Sequence, residues 1–202
     1  MTGGHAVLQI PVPALEPFVR QRHEHYDRDF VSADPVFVHA HITVLGPFLP
    51  PEAVDDRVLS TIDEIACAVG GFDYRLEQID VFPNGVIHLV PDPIEPFRSL
   101  TAELFTAFPS CPPYGGAFPD VRPHLTLDAR SDGVTVASTR RLLGSLVPAQ
   151  CRAERLDLAW WGNRTCRVLH SWWLGRPSAR PQRALSALSA LSALSALSDR
   201  RP

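Results

Sequence analysis

Apolar residues recur with two periods along this chain. Runs rich in β-branched and aromatic residues at 6–12, 36–45, 72–79, 86–90, 124–129, 155–161 and 165–174 predict strands. Helical spacing separates them. The clearest case is 51–69, where Val54, Val58, Ile62, Ile65 and Val69 recur every three or four residues before Gly70-Gly71 ends the run. Leu15, Phe18, Val19, Arg22 and Tyr26 follow Pro13 with the same spacing, Phe97, Leu100, Leu104 and Phe108 share one face of 94–108, and 134–146 predicts a further helix. Pro83-Asn84-Gly85 marks a hairpin turn, and Gly162-Asn163 joins the last two strands. Short strands in hairpins as well as helical crossovers give an α+β class, not a purely parallel sheet.

The pattern stops near Arg176. A Pro/Arg-rich stretch leads into five Ala-Leu-Ser repeats ending at Ser198. A period of three on a helix of about 3.6 residues per turn carries the leucines around the axis, so they form no packing stripe. The domain is therefore placed at 1–175, with 176–202 as a low-complexity, disordered tail.

Composition narrows the chemistry. The 202 residues fit one domain or two small lobes sharing a core, and all 19 basic residues are Arg. Without lysine there is no P-loop lysine, no Schiff-base lysine and no lysyl-adenylate nucleophile. The formal charge of -3 divides into +4 from residue 176 onward and -7 before it. So acidic a body is a poor match for a long duplex, whose binding rests on phosphate neutralisation, but it leaves room for a small anion at a focused site. Cys67, Cys111, Cys151 and Cys166 lack zinc spacing and read as free thiols. The first residues lack the basic start of a signal peptide, and no run approaches the about 20 apolar residues of a membrane span. These features predict a cytoplasmic monomer.

The chemistry sits in an internal repeat. His41-Ile42-Thr43-Val44 and His124-Leu125-Thr126-Leu127 share His-aliphatic-Thr-aliphatic, a pattern expected about 0.02 times by chance at this composition. On a strand, residues two apart share a face, so each copy sets an imidazole beside a hydroxyl while its aliphatic residues turn to the core. Two such strands across a cleft supply a proton acceptor, a proton donor and two hydroxyls for a phosphate, which suits in-line phosphodiester chemistry without a metal or other cofactor. Histidine fits both roles because its ordinary pKa lies near neutrality.

These motifs resemble those of the 2H phosphoesterases, also called the 2′-5′ RNA ligase-like superfamily. The likeness extends over His41-Ile-Thr-Val-Leu-Gly-Pro-Phe48, the Val81-Phe-Pro-Asn-Gly-Val-Ile-His-Leu hairpin and Pro123-His-Leu-Thr-Leu127, covers residues 5–175, and is strongest to the bacterial branch. The resemblance implies two pseudo-symmetric lobes of antiparallel sheet, with outer helices, around a central cleft. It also implies metal-independent hydrolysis of 2′,3′-cyclic phosphates on nucleotides or RNA ends, with 2′-5′ ligation as the reverse in some members. By the same carry-over His41 and His124 form the acid/base pair, and Thr43 and Thr126 hold the phosphate. His124 is read as the base and His41 as the acid, roles that reversal exchanges.

Other residues carry alternatives. His39 shares the face of His41 and Thr43. It reads either as a cleft-edge contact, as a buried partnered residue, or, with His41 and His124, as a three-histidine metal site serving a metal-dependent hydrolase. Tyr114 and Phe118, in the Gly/Pro loop, are candidates to stack on a base, and Arg122 to reach a phosphate. His88 and His170 read as fold elements, His23 and His25 as a solvated helix face, and the four tryptophans as core and interface packing. A non-catalytic module that binds a nucleotide or protein through the same cleft is the competing class.

Overall fold

The structure, a computed structural model, describes residues 3–117 and 121–177. Among these, β1 (Gly4–Pro11), β2 (His41–Phe48), β3 (Phe72–Val81), β4 (Val86–Asp92), β5 (Leu125–Ala129), β6 (Ala149–Ala153), β7 (Arg155–Gly162) and β8 (Arg167–Trp173) form one sheet in the order β6-β3-β4-β5-β2-β1-β7-β8. Every pairing is antiparallel. The helices are α1 (Glu16–Tyr26), α2 (Asp56–Val69), α3 (Glu95–Ala107) and α4 (Val136–Leu143). None of the described helices is long and apolar enough to cross a membrane. The tail beyond residue 177 and Phe118 lie outside the described residues.

The two lobes are halves of this sheet. β1, α1 and β2 follow the same path as β4, α3 and β5, namely a strand, a crossing helix, and an antiparallel return beside the first strand. The motif strands β2 and β5 meet at the centre through one pair, Ile42 with Leu125. Ile42, Val44, Leu125 and Leu127 are at most 2% exposed and share a core with Ile62 and Ala66 of α2 and Phe97, Leu100 and Leu104 of α3. Burying that face turns the alternate positions, which carry the histidines and threonines, to the other side.

Local chemistry accounts for the departures from the sequence pattern. The run 36–45 becomes a strand only from His41, because Val12 N–H bonds the Ala40 carbonyl and Glu16 takes the Ala40 N–H. The run 51–69 divides into a 3-10 turn (Pro51–Ala53) and α2, whose start is set by Asp55 accepting the Val58 N–H at 2.9 Å. Thr135 and Ser138 cap α4 reciprocally, which shortens the 134–146 helix at its start. Strand β6 has no counterpart in the pattern: five residues of mixed polarity, Ala-Gln-Cys-Arg-Ala, carry too weak a period, and pairing with β3 defines them.

Candidate active site

The Ile42–Leu125 pair fixes how the motifs face each other. One step along that antiparallel register, His41 stands across from Thr126 and Thr43 across from His124, so each imidazole is opposed by the other strand's hydroxyl. The histidine rings are held alike. His41 Nδ1 donates to the His39 carbonyl and His124 Nδ1 to the Arg122 carbonyl, each at 2.7 Å. A carbonyl only accepts, so each neutral ring carries its proton on Nδ1 and keeps the Nε2 lone pair for the cleft.

The neighbours repeat with the same symmetry. Trp161 of β7 packs against His41 with ring centroids 5.0 Å apart, and Phe82, just past β3, packs edge-on to His124 at 4.8 Å. Trp161 also donates its Nε1–H to Gln9 at 2.9 Å. His88 stacks on Phe82 at 3.9 Å and meets His124 at 5.2 Å. Tyr114 lies parallel to the His124 ring at 6.1 Å, on a backbone of φ +52° that is rare outside glycine. Burial pushes the Tyr114 phenol up to about 12.

Burial also governs the histidines. It drives His41 down to about 4 against the opposing bond to the His39 carbonyl, with the charges of His23, His124 and His39 lowering it further. His124 is lowered by burial and by the charge of His88, against its bond to the Arg122 carbonyl. Both rings are therefore disposed to be neutral, and an anion placed between them favours recharging one.

Of its three alternatives His39 takes the buried, partnered one: its ring Nδ1 bonds Glu16 at 2.7 Å and its Nε2 accepts the Ser32 N–H at 3.0 Å, which spends both nitrogens and leaves neither for a metal or a substrate. Among the described residues no group of His, Cys, Asp and Glu is placed to hold a metal ion. His23 lies on no solvated face. Its ring is 5.5 Å from His39 and 5.6 Å from Trp161, and burial lowers its pKa. Trp161 likewise belongs to the site as well as the core, whereas Trp173 is 52% exposed. His170 packs on Trp172, and the Arg122 side chain is exposed while its carbonyl holds His124.

A cavity of about 390 Å³ opens from His41 and Thr126 and runs between α1 and the segment that follows β5. Arg22, His23 and Tyr26 form one wall and Arg130 and Ser131 the other. Arg22 reaches Asp128 at 2.5 Å and the Tyr26 hydroxyl at 2.7 Å, so α1, which enters from one half of the sheet, is tied to the motif strand of the other. Glu16, Gln9 and Phe82 were missed in the sequence because each acts through a partner more than 20 residues away.

A curled antiparallel sheet with crossing helices and a His-x-Thr motif at the start of each central strand is the architecture of a two-histidine phosphoesterase. Residues 11–165 match the 2′-5′ RNA ligase superfamily, and the chain belongs to that family. Among solved structures it is similar to TT0787 of Thermus thermophilus, with a TM-score of 0.57 and 20% identity over 85% of this chain and 98% of that one. It is also similar to LigT of E. coli complexed with 3′-AMP, with a TM-score of 0.52 and 18% identity over 85% and 98% of the two chains. The apo form of LigT gives the same TM-score and identity over 87% and 100%. No curated protein matches the chain.

Proposed function

We propose that this protein is a metal-independent phosphodiesterase that opens 2′,3′-cyclic phosphates on nucleotides or RNA ends. The carrying observation is the matched pair of imidazoles, each tied through Nδ1 to the carbonyl two residues back and each opposed by a motif threonine. A cyclic phosphate between them takes hydrogen bonds from Thr43 and Thr126 on its non-bridging oxygens. Water attacks phosphorus as His124 removes its proton, the bond from phosphorus to O3′ breaks, and His41 delivers a proton to O3′. The product is a 2′-phosphate with a free 3′-hydroxyl. A ribose hydroxyl attacking in place of water would give ligation, with the same two histidines moving the protons.

The substrate's negative charge offsets the burial that keeps the two rings neutral, so binding recharges one ring. Support for a nucleotide-sized ligand comes from the cavity beside His41 and from LigT, which has been crystallised with 3′-AMP. The acidic body favours a small terminal phosphate over a long duplex.

The test is turnover of 2′,3′-cyclic nucleotides and of cyclic-phosphate-ended RNA in excess EDTA. His41→Ala and His124→Ala are each expected to lower kcat by about 10²–10⁴. Nucleotide binding without turnover by the wild type would instead make the cleft a binding module.

A further inference from the structure

The two motif histidines are held by the same kind of bond to different kinds of peptide. His124 donates to the carbonyl of Arg122, whose peptide continues into Pro123 and so has no N–H. His41 donates to the carbonyl of His39, whose peptide carries the Ala40 N–H, and that N–H donates to Glu16 Oε2 at 2.9 Å. One peptide group therefore lies between a carboxylate and the imidazole.

We propose that Glu16 is a positioning residue for His41, acting through the 39–40 peptide much as a carboxylate acts directly on histidine in a hydrolase triad. This inference rests on the two-histidine reading of the site.

The carboxylate is well placed for the part. Its other oxygen, Oε1, takes the Nδ1–H of His39 at 2.7 Å, and that ring is anchored at Nε2 by the Ser32 N–H. The His39 side chain is fully buried and the Glu16 side chain is 21% exposed. Bonds from His39 and Ala40 hold the Glu16 carboxyl below its ordinary range despite burial, so it is charged when the enzyme works. A carboxylate on the N–H end of a peptide polarises its carbonyl, and hydrogen bonds in such a chain strengthen one another. The His39 carbonyl then favours Nδ1–H on His41 and supports positive charge on that ring. His124 receives no such support, because proline removes the N–H that a carboxylate would grip. Against the burial that drives His41 down to about 4, this chain of bonds supports recharging of His41 and not of His124, which assigns His41 as the acid and His124 as the base.

The ionisable groups that act on or share a cavity with His41 include His39 on its own segment, Glu16, Arg22 and His23 on α1, Asp27 just past it, Asp128 and Arg130 on and after β5, and His124. Histidine pKa values should therefore be followed individually by ¹H–¹⁵N NMR, with saturating inorganic phosphate as the anion. Glu16→Gln is expected to lower the pKa of phosphate-bound His41, leave that of His124 in place, and reduce kcat about tenfold with KM within about twofold. Glu16→Asp, which keeps the charge, is expected to restore most of both. His39→Gln keeps the Glu16–Ala40 bond and removes a charge that lowers the His41 pKa, so that pKa is expected to hold or rise, not fall. An unaltered His41 pKa in folded Glu16→Gln overturns the proposal, as does an equal loss in His39→Gln, which would assign the effect to the ring and not the peptide. If Glu16→Gln does not fold, the Asp and His39 variants decide the question. A wild type that turns over no cyclic phosphate defeats the catalytic reading, while the NMR shifts still decide whether Glu16 acts on His41.

Discussion

Gln9 and His88 occupy the same place in the two halves of the sheet: Gln9 pairs across from Thr43, and His88 across from Thr126. Both are buried, Gln9 at 0% and His88 at 2% exposure. Gln9 steadies the aromatic residue beside His41, whereas His88 stacks on the aromatic residue beside His124 and adds a charge that lowers the His124 pKa. Replacing His88 by Gln makes the halves more alike and removes that charge. The His124 pKa is then expected to rise, with kcat changed by less than about tenfold. NMR titration of the ring checks this, and a fall in the His124 pKa would contradict the role given to His88.

Thr43 and Thr126 lie on the sheet face opposite the core, where their aliphatic neighbours are buried, and Thr126 lines the cavity beside His41. Thr→Val keeps shape and β-branching while removing the hydroxyl. Each single substitution is expected to cost about 10²–10³-fold in kcat/KM, as loss of one oxyanion donor does, and to leave the melting temperature within a few degrees. Steady-state kinetics beside thermal melts tests both halves of this expectation. Loss of folding without loss of specific activity would make the threonines structural.

The arrangement of the candidate site was legible in the sequence to the extent that strand geometry determines it. Spacing by two places His41 with Thr43 and His124 with Thr126 on one face, and the structure keeps that arrangement. Helices α2 and α3 were equally legible, because their periods run long enough to stand above chance. What the pattern does not carry is partnership across the fold. The pattern leaves His39 open between a cleft edge, a metal site and a buried, partnered place, and only Glu16, 23 positions earlier, and Ser32, which take both its ring nitrogens, decide for the last. His23 reads as part of a polar helix face, Arg22-His-Glu-His-Tyr, until the helix is laid against Trp161. Strand β6 exists because β3 has an edge to pair, a fact of topology with no trace in five residues of mixed polarity.

The depressed His41 pKa makes stability depend on pH. The unfolded ring titrates near 6.5 and the folded ring near about 4, so between these values the unfolded chain binds the extra proton. Stability from this group is complete above 6.5 and is lost as pH falls towards 4. The loss is on the order of 3 kcal/mol for a shift of this size. His23, His88, His124 and His170 are lowered too and act in the same direction, whereas Asp157, raised by burial, opposes them. Urea unfolding at pH 7.5, 6 and 5 is expected to show falling stability, and His41→Gln to flatten the slope. An equal slope in that variant would place the pH dependence elsewhere.

Arg22 and Asp128 join α1 to the far motif strand two residues beyond Thr126, with side chains 17% and 4% exposed. Removing one partner of a buried pair strands the other charge, so Arg22→Met is expected to cost about 3–5 kcal/mol of stability. Asp128→Asn leaves a neutral amide that still accepts a hydrogen bond and should cost less. The double variant Arg22→Met/Asp128→Leu removes both charges and is expected to recover most of the stability lost by Arg22→Met alone. Activity separates this pair's two effects. The direct pairing of β2 with β5 is confined to Ile42 and Leu125, so the ion pair is a second tie between the halves. The stable double variant should therefore still show reduced kcat, because the gap between His41 and His124 is held less firmly. A double variant with wild-type stability and wild-type kcat would mean that the Ile42–Leu125 pair alone sets that gap.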